Sequence, residues 1–232
     1  MKQEELDIIL ENHGKWLRDE GGERADLSNA DLKNTNLRYA NLRLAYLSNA
    51  NLRGVNLKNA DLSYANLRGA NLDNADLSYA DLSGANLSNA DLSNADLSNA
   101  FLSNADLSNA DLSNAFLSDA DLSNAFLSDA DLRHADLSNA DLSNAFLSDA
   151  DLNWVNWRHV EGLTVICVQV DTSRRNNQIT YIKELEIWIT DCFQGTLDEL
   201  KASVEQTHKD NEKLRKRYYR VIDFILNEVA EE

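Results

Sequence analysis

A five-residue repeat constrains the fold of this chain more than any other feature. From residue 25 to residue 154 the sequence divides into 26 pentads without an insertion, and the third residue of every pentad is Leu. The first residue is Ala in 24 pentads, the exceptions being Thr35 and Val55. An α-helix turns about 140° in five residues and would spread these Leu residues over every face, whereas a flat strand would alternate them between two faces. A single core therefore requires short extended segments joined by corners, with Ala and Leu pointing inward.

The fifth residue of each pentad predicts where the corners lie. Asn, Gly, Asp or His occupies this place in 21 of the 26 pentads. These residue types tolerate a positive φ best, as the third residue of a type II turn requires. The repeated Leu-Ser-Asn-Ala is therefore predicted to be the turn. Bulky residues tolerate positive φ poorly, so the sequence predicts other turn geometries at Tyr39, Leu44, Tyr64, Tyr79 and Trp154.

The repeated motif A(D/N)LXX, present here as ADLSN, ANLRG and AFLSD, resembles the pentapeptide-repeat family over residues 25–154. The resemblance implies an all-β right-handed quadrilateral β-solenoid, with four pentads in each 20-residue coil. The repetition alone leaves the number four open, because its secondary periods include 10 and 15 residues as well as 20. At four pentads per coil the solenoid would have about six and a half coils and a length of about 31 Å.

We expect three regions along the chain. Residues 1–24 form a helical cap, residues 25–159 the solenoid, and residues 160–232 a small C-terminal α+β domain. The cap helix is predicted over residues 3–20 and ends at Gly21 and Gly22. Its apolar residues are Leu6, Ile9, Leu10, Trp16 and Leu17. At the other end of the solenoid, Val155 and Trp157 occupy the Ala and Leu places of a degenerate pentad and are expected to plug the last coil.

The C-terminal domain shows strand and helix patterns. The segments LTVICVQV and QITYI, separated by DTSRRNN, predict a hairpin, and a third strand is expected around residues 185–189. Thr196 and Glu199 form a capping box before one helix, and another helix begins near Asp210. The segments CFQGTLDEL and EQTHKDN resemble a module of phage or prophage pentapeptide-repeat proteins that carries no known activity. In the last helix we expect an interaction surface formed by Tyr218, Val221, Ile222 and Ile225.

The sequence predicts no catalytic, metal or cofactor site. It lacks the GxSxG, P-loop and GxGxxG motifs. Cys192 precedes Phe193 and is expected to be a small buried residue rather than a nucleophile. The four histidines show no metal-ligand spacing with either cysteine and are expected to be structural or solvated: His13, His134, His159 and His208. We therefore expect a protein that is not an enzyme.

Charge and composition restrict the location and the partners. The net charge of −17 argues against direct nucleic-acid binding and against docking on an anionic membrane. Only two cysteines are present and they have no CxxC spacing, so the sequence does not predict a disulfide framework. A reducing cytoplasm is therefore the default compartment. The N-terminus MKQEELDIIL has no secretory signal pattern, and no apolar stretch approaches the ~18 residues of a membrane span. The expected location is therefore the cytoplasm.

Within the repeats the charge is unevenly distributed. Residues 25–68 contain three Asp and six Lys or Arg, whereas residues 69–154 contain 15 Asp and only one basic residue, Arg133. The resulting density, about one net charge per 1.5 Å, is close to the one per ~1.7 Å of duplex DNA. The alternative interpretation is a solvated surface, because Asp belongs to the repeat consensus and an outward carboxylate aids solubility. The expected acidic partner surface comprises Asp91, Asp96, Asp106, Asp111, Asp121, Asp131, Asp136 and Asp141.

Four phenylalanines, Phe101, Phe116, Phe126 and Phe146, replace the outward Asp of the motif. Phe126 and Phe146 lie 20 residues apart and would stack in adjacent coils. Two interpretations stay open: a ladder that stabilises the fold, or an aromatic patch for a partner or a second copy. The basic residues of the last helix are expected to form its solvated face rather than a nucleic-acid site: Arg215, Lys216, Arg217 and Arg220.

The expected function is that of a non-enzymatic structural or interaction protein. In this hypothesis a rigid acidic solenoid presents a C-terminal module that binds a protein partner of unknown identity or forms a homodimer. The alternative comes from the family resemblance, since some members mimic DNA, occupy the DNA-binding saddle of type II topoisomerases such as gyrase and protect against quinolones. A third hypothesis is an unrecognised activity in residues 160–232.

Overall fold

The computed structural model describes residues 1–170, 178–190 and 193–230. The chain forms two compact units, which are described separately. The first consists of Met1–Asp151 with Val155–Gly162, and the second of Leu152–Trp154 with Leu163–Glu232. None of the helices in the described ranges is both long and apolar enough to cross a membrane.

The repeat folds into stacked coils of 20 residues. The second residue of each pentad pairs in parallel with the residue 20 positions further on, from Asp26 with Tyr46 through to Asp141 with Glu161. Each coil therefore contains four pentads, the number implied by the resemblance. The pairing continues to Glu161, two residues past the predicted end of the solenoid. All 26 repeat leucines are at most 1% exposed, and Val155 and Trp157 are also buried. The inward Leu column predicted from the sequence is therefore confirmed.

Hydrogen bonds within and between coils account for every backbone N–H of a typical pentad. Three N–H groups bond to neighbouring coils, and the N–H of the first residue closes a turn onto the Leu of the preceding pentad. The remaining N–H, that of the fourth residue, donates to the side-chain oxygen of Asp or Asn at the second place. The first coils show the pattern in Tyr46 N to Ala25 O (3.0 Å), Leu27 N to Tyr46 O (2.7 Å), Asn29 N to Ser48 O (2.9 Å), Ala30 N to Leu27 O (3.1 Å) and Ser28 N to Asp26 Oδ1 (3.0 Å).

The corners confirm the predicted turn and correct its predicted exceptions. Asn and Asp at the fifth place have positive φ, for example 59° at Asn29. The expectation of other geometries at the five bulky corners is wrong. Their φ angles are also positive: 61° at Tyr39, 64° at Leu44, 56° at Tyr64, 61° at Tyr79 and 69° at Trp154. At Tyr39 the turn is held by Tyr39 N to Lys58 O (3.1 Å) and Ala40 N to Leu37 O (3.0 Å), so the coil geometry overrides the preference of the residue.

Replacing such a corner residue should stabilise the fold. Tyr39 is 64% exposed, so its ring gains little from burial while its backbone occupies the left-handed region. We expect Tyr39→Asn to raise the free energy of unfolding by about 1 kcal/mol, because Asn tolerates positive φ better. Urea unfolding measures the change. The reverse substitution Asn99→Tyr, at the same corner three coils later, should lower stability, and a Tyr39→Asn variant less stable than the wild type would contradict this account.

The N-terminal cap is α1, Gln3–Leu17. It ends three residues before the predicted end, because the N–H groups of Arg18 and Asp19 turn back to the carbonyls of Lys15 and Trp16 at 3.2 Å each. Gly22 lies beyond the helix at a φ of 82°, and an added Cβ would approach the backbone oxygen of Asn12 to 2.2 Å. The glycine therefore allows the chain to pass close to α1 on its way into the solenoid.

Side chains of this cap occupy the open hydrogen-bonding edge of the first coil. The Gln3 amide accepts from Asn36 N (2.8 Å) and donates to Asn36 O (3.2 Å), replacing the peptide group that a preceding coil would supply. The Met1 ammonium donates to Asp31 O at 2.6 Å. His13 is fully buried, accepts from Ala25 N on Nδ1 (3.1 Å) and donates from Nε2 to Arg43 O (3.0 Å). These bonds close an edge that would otherwise be adhesive.

The buried histidine makes the cap pH-dependent. Burial lowers the pKa of His13 below its usual value, although the hydrogen bond to Arg43 O opposes the shift; the nearby Arg24 also lowers this pKa. The folded protein thus binds fewer protons here than the unfolded chain, so the stability contribution is complete above pH ~6.5 and declines as the pH falls below that value.

We therefore expect the protection of the α1 amides against hydrogen exchange, relative to the intrinsic chemical rate at each pH, to fall as the pH is lowered from about 7 to about 5. In His13→Gln this loss of protection should be smaller, since Gln does not titrate. Mass spectrometry of peptides covering residues 3–17 measures both proteins. Equal pH dependence in the wild type and His13→Gln would exclude the histidine as its source.

The second unit contains a four-stranded antiparallel sheet in the order β1-β2-β3-β4. The strands are β1 Val165–Gln169, β2 Gln178–Ile182, β3 Ile187–Thr190 and β4 Phe193–Gly195. The predicted hairpin and third strand are present, but β3 starts later than expected because residues 183–185 form a 3-10 turn before it. The fourth strand was not predicted. The predicted loop DTSRRNN and Cys192 lie outside the described residues.

Two helices pack on this sheet, α2 (Leu197–Thr207) and α3 (Glu212–Ala230). The capping box is confirmed, with Thr196 N donating to Glu199 Oε2 at 2.8 Å. Tyr218, Ile222 and Ile225 of α3 are buried in the core with Trp188, and Val221 packs against it. The expectation that this stripe is an interaction surface is therefore wrong, because the stripe is covered by the sheet and α2 of the same unit.

Candidate functional site

The outward residues of the acidic half stand in four columns, where a column is the set of residues at the same place in successive coils. The expected acidic surface is divided among all four. One column contains Asp91, Asp111 and Asp131, a second Asp96 and Asp136, a third Asp121 and Asp141, and the fourth Asp106 followed by Phe126 and Phe146. The structure thus pairs Asp91, Asp111 and Asp131 in adjacent coils, and likewise Asp121 and Asp141, whereas Phe116 lies between Asp96 and Asp136.

The Asp carboxylates also have a role in the fold. The residues are half-buried, and Asp91 Oδ1 accepts hydrogen bonds from Ser93 N (3.1 Å) and Ser93 Oγ (2.6 Å). The same backbone bond is made by Asp96, Asp106, Asp111, Asp121, Asp131, Asp136 and Asp141. In the basic half the amide oxygen of Asn makes it, as from Lys58 N to Asn56 Oδ1 at 3.0 Å. In these pentads the turn therefore uses a side-chain oxygen at this place and does not depend on its negative charge.

One basic residue lies within the acidic half. Arg133 pairs with Asp131, and its Nε lies 3.5 Å from Asp151 Oδ2 in the next coil. The hydrogen bond from Arg133 holds the pKa of Asp131 below its usual value. Because this guanidinium is half exposed in water, the pair contributes little to stability. It nevertheless reduces the negative field of this column beside those two coils.

Phe126 and Phe146 form the stack that the sequence predicts. Their ring centroids are 5.0 Å apart and the rings are inclined by 5°. The stack does not bury them, since they are 46% and 52% exposed. Phe126 also borders a surface depression with Asp106 and Ser108 and the corner residue Gly84. Sequence reasoning missed this depression, because it depends on the direction of side chains from adjacent columns.

Two side chains with reactive groups, His13 and Cys167, make hydrogen bonds within the fold. His13 belongs to the cap, as described above. Cys167 lies on an exposed part of β1 with its Sγ 3.3 Å from Thr180 Oγ1, and local desolvation raises the pKa of the thiol although the hydrogen bond to Thr180 opposes the shift. Within the described ranges, no group of three or more His, Cys, Asp or Glu side chains could hold a metal ion.

The second unit has a cleft of about 530 Å³ between the sheet and the start of α2, bordered by Trp188, Leu226 and Glu199. The Glu199 carboxylate accepts hydrogen bonds from the backbone and the hydroxyl of Thr196. These bonds hold the pKa of Glu199 below its usual value, and the group serves as the helix cap. Glu199 is therefore committed to the helix cap rather than poised for proton transfer.

Comparison with known proteins identifies the solenoid. A family model described as pentapeptide repeats, in eight copies, matches residues 25–63, 50–89, 85–124 and 117–153. The chain therefore belongs to the pentapeptide-repeat family, and its stacked coils are the right-handed β-solenoid of that family. These matches end at residue 153, so the resemblance of the C-terminal segments to phage or prophage modules stays a prediction.

Several solved structures are similar to the repeats. HetL, a pentapeptide repeat protein involved in heterocyst differentiation regulation from the cyanobacterium Nostoc sp. strain PCC 7120, is 38% identical over 59% of this chain, with a TM-score of 0.34. The match covers 65% of HetL, just under two thirds of its length. QnrB1, a plasmid-mediated fluoroquinolone resistance protein, is 23% identical over 60% of this chain and 76% of its own, with a TM-score of 0.50. A search among curated protein sequences found no significant match.

Two substitutions separate the structural and electrostatic roles of the carboxylates. We expect Asp91→Ala to lower the free energy of unfolding by about 1 kcal/mol, because the Ser93 N–H and hydroxyl lose their acceptor. Asp91→Asn retains an acceptor and should stay within about 0.5 kcal/mol of the wild type. Urea unfolding of the two variants measures the difference. Equal losses in both would mean that the charge, and not the hydrogen bond, stabilises the turn.

Proposed function

We propose that this protein is a non-enzymatic interaction protein whose rigid acidic solenoid binds a protein partner, with the C-terminal module as a second binding or dimerisation element. The proposal includes a quadrilateral cross-section, supported by the four positive-φ corners in each 20-residue coil. It also includes a cytoplasmic location, as expected from the cysteine content. No arrangement among the described residues of the C-terminal module favours a catalytic activity there.

The charge of residues 69–154 is the observation that carries this proposal. Most pentads use an oxygen acceptor at the second place, and Asn supplies it throughout much of the basic half. In the acidic half 11 of the 15 Asp stand at this place, where Asn would also supply the acceptor, so the negative charge exceeds what the fold requires. A field of this strength and sign attracts basic protein surfaces and speeds their association.

The test uses the full-length chain with asparagine at the eight expected surface aspartates, from Asp91 to Asp141. The substitutions preserve the turn acceptors and change the net charge from −17 to −9. Quantitative affinity capture from the native host should lose its specific proteins with this variant. The matched control, Lys33→Gln with Arg38→Gln and Arg43→Gln, alters the basic half and should retain them. Equal capture by the wild type and both variants would contradict the proposal, as would enzymatic turnover abolished by His208→Ala.

A second candidate function is inhibition or protection of a type II topoisomerase by DNA mimicry. The supporting observation is the net −14 of residues 69–154, which over about 21 Å approaches the linear charge density of duplex DNA. The likeness to QnrB1, at 23% identity, supports the fold alone. The division of the carboxylates among four columns favours a general acidic surface over a two-stranded phosphate pattern.

Gyrase supercoiling distinguishes the two candidates. If the protein mimics DNA, micromolar wild-type protein should reduce the supercoiling activity of gyrase. The eight-asparagine variant at the same concentration should leave this activity unchanged. A wild-type protein that leaves supercoiling unchanged would eliminate gyrase as the partner and leave the general interaction function standing. Circular dichroism of the variant confirms that the solenoid is folded in both measurements.

A further inference from the structure

The phenylalanines at the outward place carry a structural cost. A phenyl ring cannot accept the hydrogen bond that Asp or Asn takes from the N–H of the fourth residue, a loss on the order of 1 kcal/mol per pentad. The rings also stay about half exposed, with Phe126 at 46% and Phe146 at 52%. Their mutual stacking recovers part of this cost but leaves a large apolar area facing water. The fold alone therefore does not explain aromatic rings at these two positions.

Three exposed tyrosine rings of this protein, Tyr39, Tyr46 and Tyr79, are covered by its own cationic side chains. The Arg24 guanidinium lies 3.8 Å from the ring centroid of Tyr46. Tyr46 stands in the same column as Phe126 and Phe146, four and five coils earlier. Two further tyrosines also have cations over their rings, Arg38 over Tyr39 at 4.8 Å and Lys58 over Tyr79 at 5.2 Å. In the described part of the chain, neither phenylalanine of the stack has a basic side chain over its ring.

Acidic residues lie next to the stack in its column and along the chain. Asp106 precedes Phe126 in its column and borders the same depression. Asp129 and Asp149 follow the two phenylalanines at the next corner and lie in adjacent coils, with Asp129 N donating to Ser148 O at 2.9 Å. Aromatic rings attract cations through the negative face of their π-systems, and nearby carboxylates add to the attraction. The stack thus has both elements of a site for a cationic side chain.

We propose that Phe126 and Phe146, together with Asp106, Asp129 and Asp149, bind Arg or Lys side chains of a basic segment in a partner protein. The inference rests on the proposed interaction function and names the chemistry of the partner. Arg fits the site better than Lys, because a guanidinium can stack on a ring while it donates to a carboxylate. The position that Arg24 occupies on Tyr46 would then be filled by the partner on the phenylalanine stack.

The decisive experiment separates the rings from the charge. The variant Phe126→Asp with Phe146→Asp restores the commonest residue of the motif and makes the protein more negative by two charges. If the attraction were only Coulombic, this variant would bind a basic peptide more tightly. If the rings contribute, it should bind about tenfold more weakly. The probe is a fluorescent nine-residue peptide of alternating Arg and Gly, titrated at near-physiological salt and followed by anisotropy.

The matched control is Phe101→Asp with Phe116→Asp, which adds the same charge at phenylalanines of other columns that do not neighbour each other. This control should bind the peptide as well as the wild type or more tightly. Asp106→Asn keeps its turn hydrogen bond and should weaken binding a few-fold. Replacing Arg with Lys throughout the peptide should also weaken binding.

Three results would overturn the inference. The first is equal or tighter peptide binding by the Phe126→Asp, Phe146→Asp variant, which would assign all attraction to charge. The second is an absence of peptide binding by the wild type, which would still leave the interaction function to be tested by the eight-asparagine variant. The third is a wild-type dimer in analytical ultracentrifugation that becomes a monomer only in the Phe126→Asp, Phe146→Asp variant, because the stack would then bind a second copy.

Discussion

Parallel hydrogen bonding between residues 20 positions apart is the constraint on which the solenoid depends. Once the coils stack in this register, three N–H groups of each pentad are committed to neighbouring coils. The other two bond locally in most pentads, one through the turn at the corner and one to the oxygen of Asp or Asn. The recurring residues of the motif thus have separate roles in one backbone geometry: Ala and Leu fill the interior, and Asp or Asn accepts the hydrogen bond of the fourth N–H. The bulky corner residues demonstrate its strength, since Leu44 and Tyr64 adopt positive φ against their own preference.

The same constraint explains why the first coil needs a cap. A coil with no predecessor exposes N–H and C=O groups in the geometry of a strand edge. The cap covers them with groups that copy peptide chemistry: the Gln3 amide supplies a donor and an acceptor, and neutral His13 does the same through its two ring nitrogens. A charged imidazole would present a second N–H toward Ala25 N and could not accept its hydrogen bond. The stability of the cap is therefore linked to the protonation of one side chain.

The repeat was predictable because its structure is specified locally and many times over. The Leu column, the turns and the stacking of Phe126 on Phe146 all follow from spacing in the sequence. The roles of Gln3 and His13 could not be predicted, since they depend on which backbone groups α1 meets after folding. The last helix shows the opposite limit: its apolar stripe was recognised, but periodicity cannot tell whether Ile222 faces its own sheet or a partner. The strand β4 escaped notice because three residues are too few to show a period.

Separating the hydrogen-bonding role of Asp from its charge clarifies what the acidic half is for. Asn and Asp accept the same hydrogen bond in the turn, so the backbone geometry permits a neutral outward surface along its whole length. The chain instead places basic residues in its first coils, where Arg24, Arg38 and Lys58 cover exposed tyrosine rings, and concentrates Asp in the later coils beside exposed phenylalanine rings. Three exposed tyrosine rings thus receive cations from the chain itself, whereas within the described residues the stacked rings of Phe126 and Phe146 do not. The fold does not require this charge gradient, and the phenylalanine rings cost it hydrogen bonds. Both features are therefore better explained by binding of a partner at this surface than by folding.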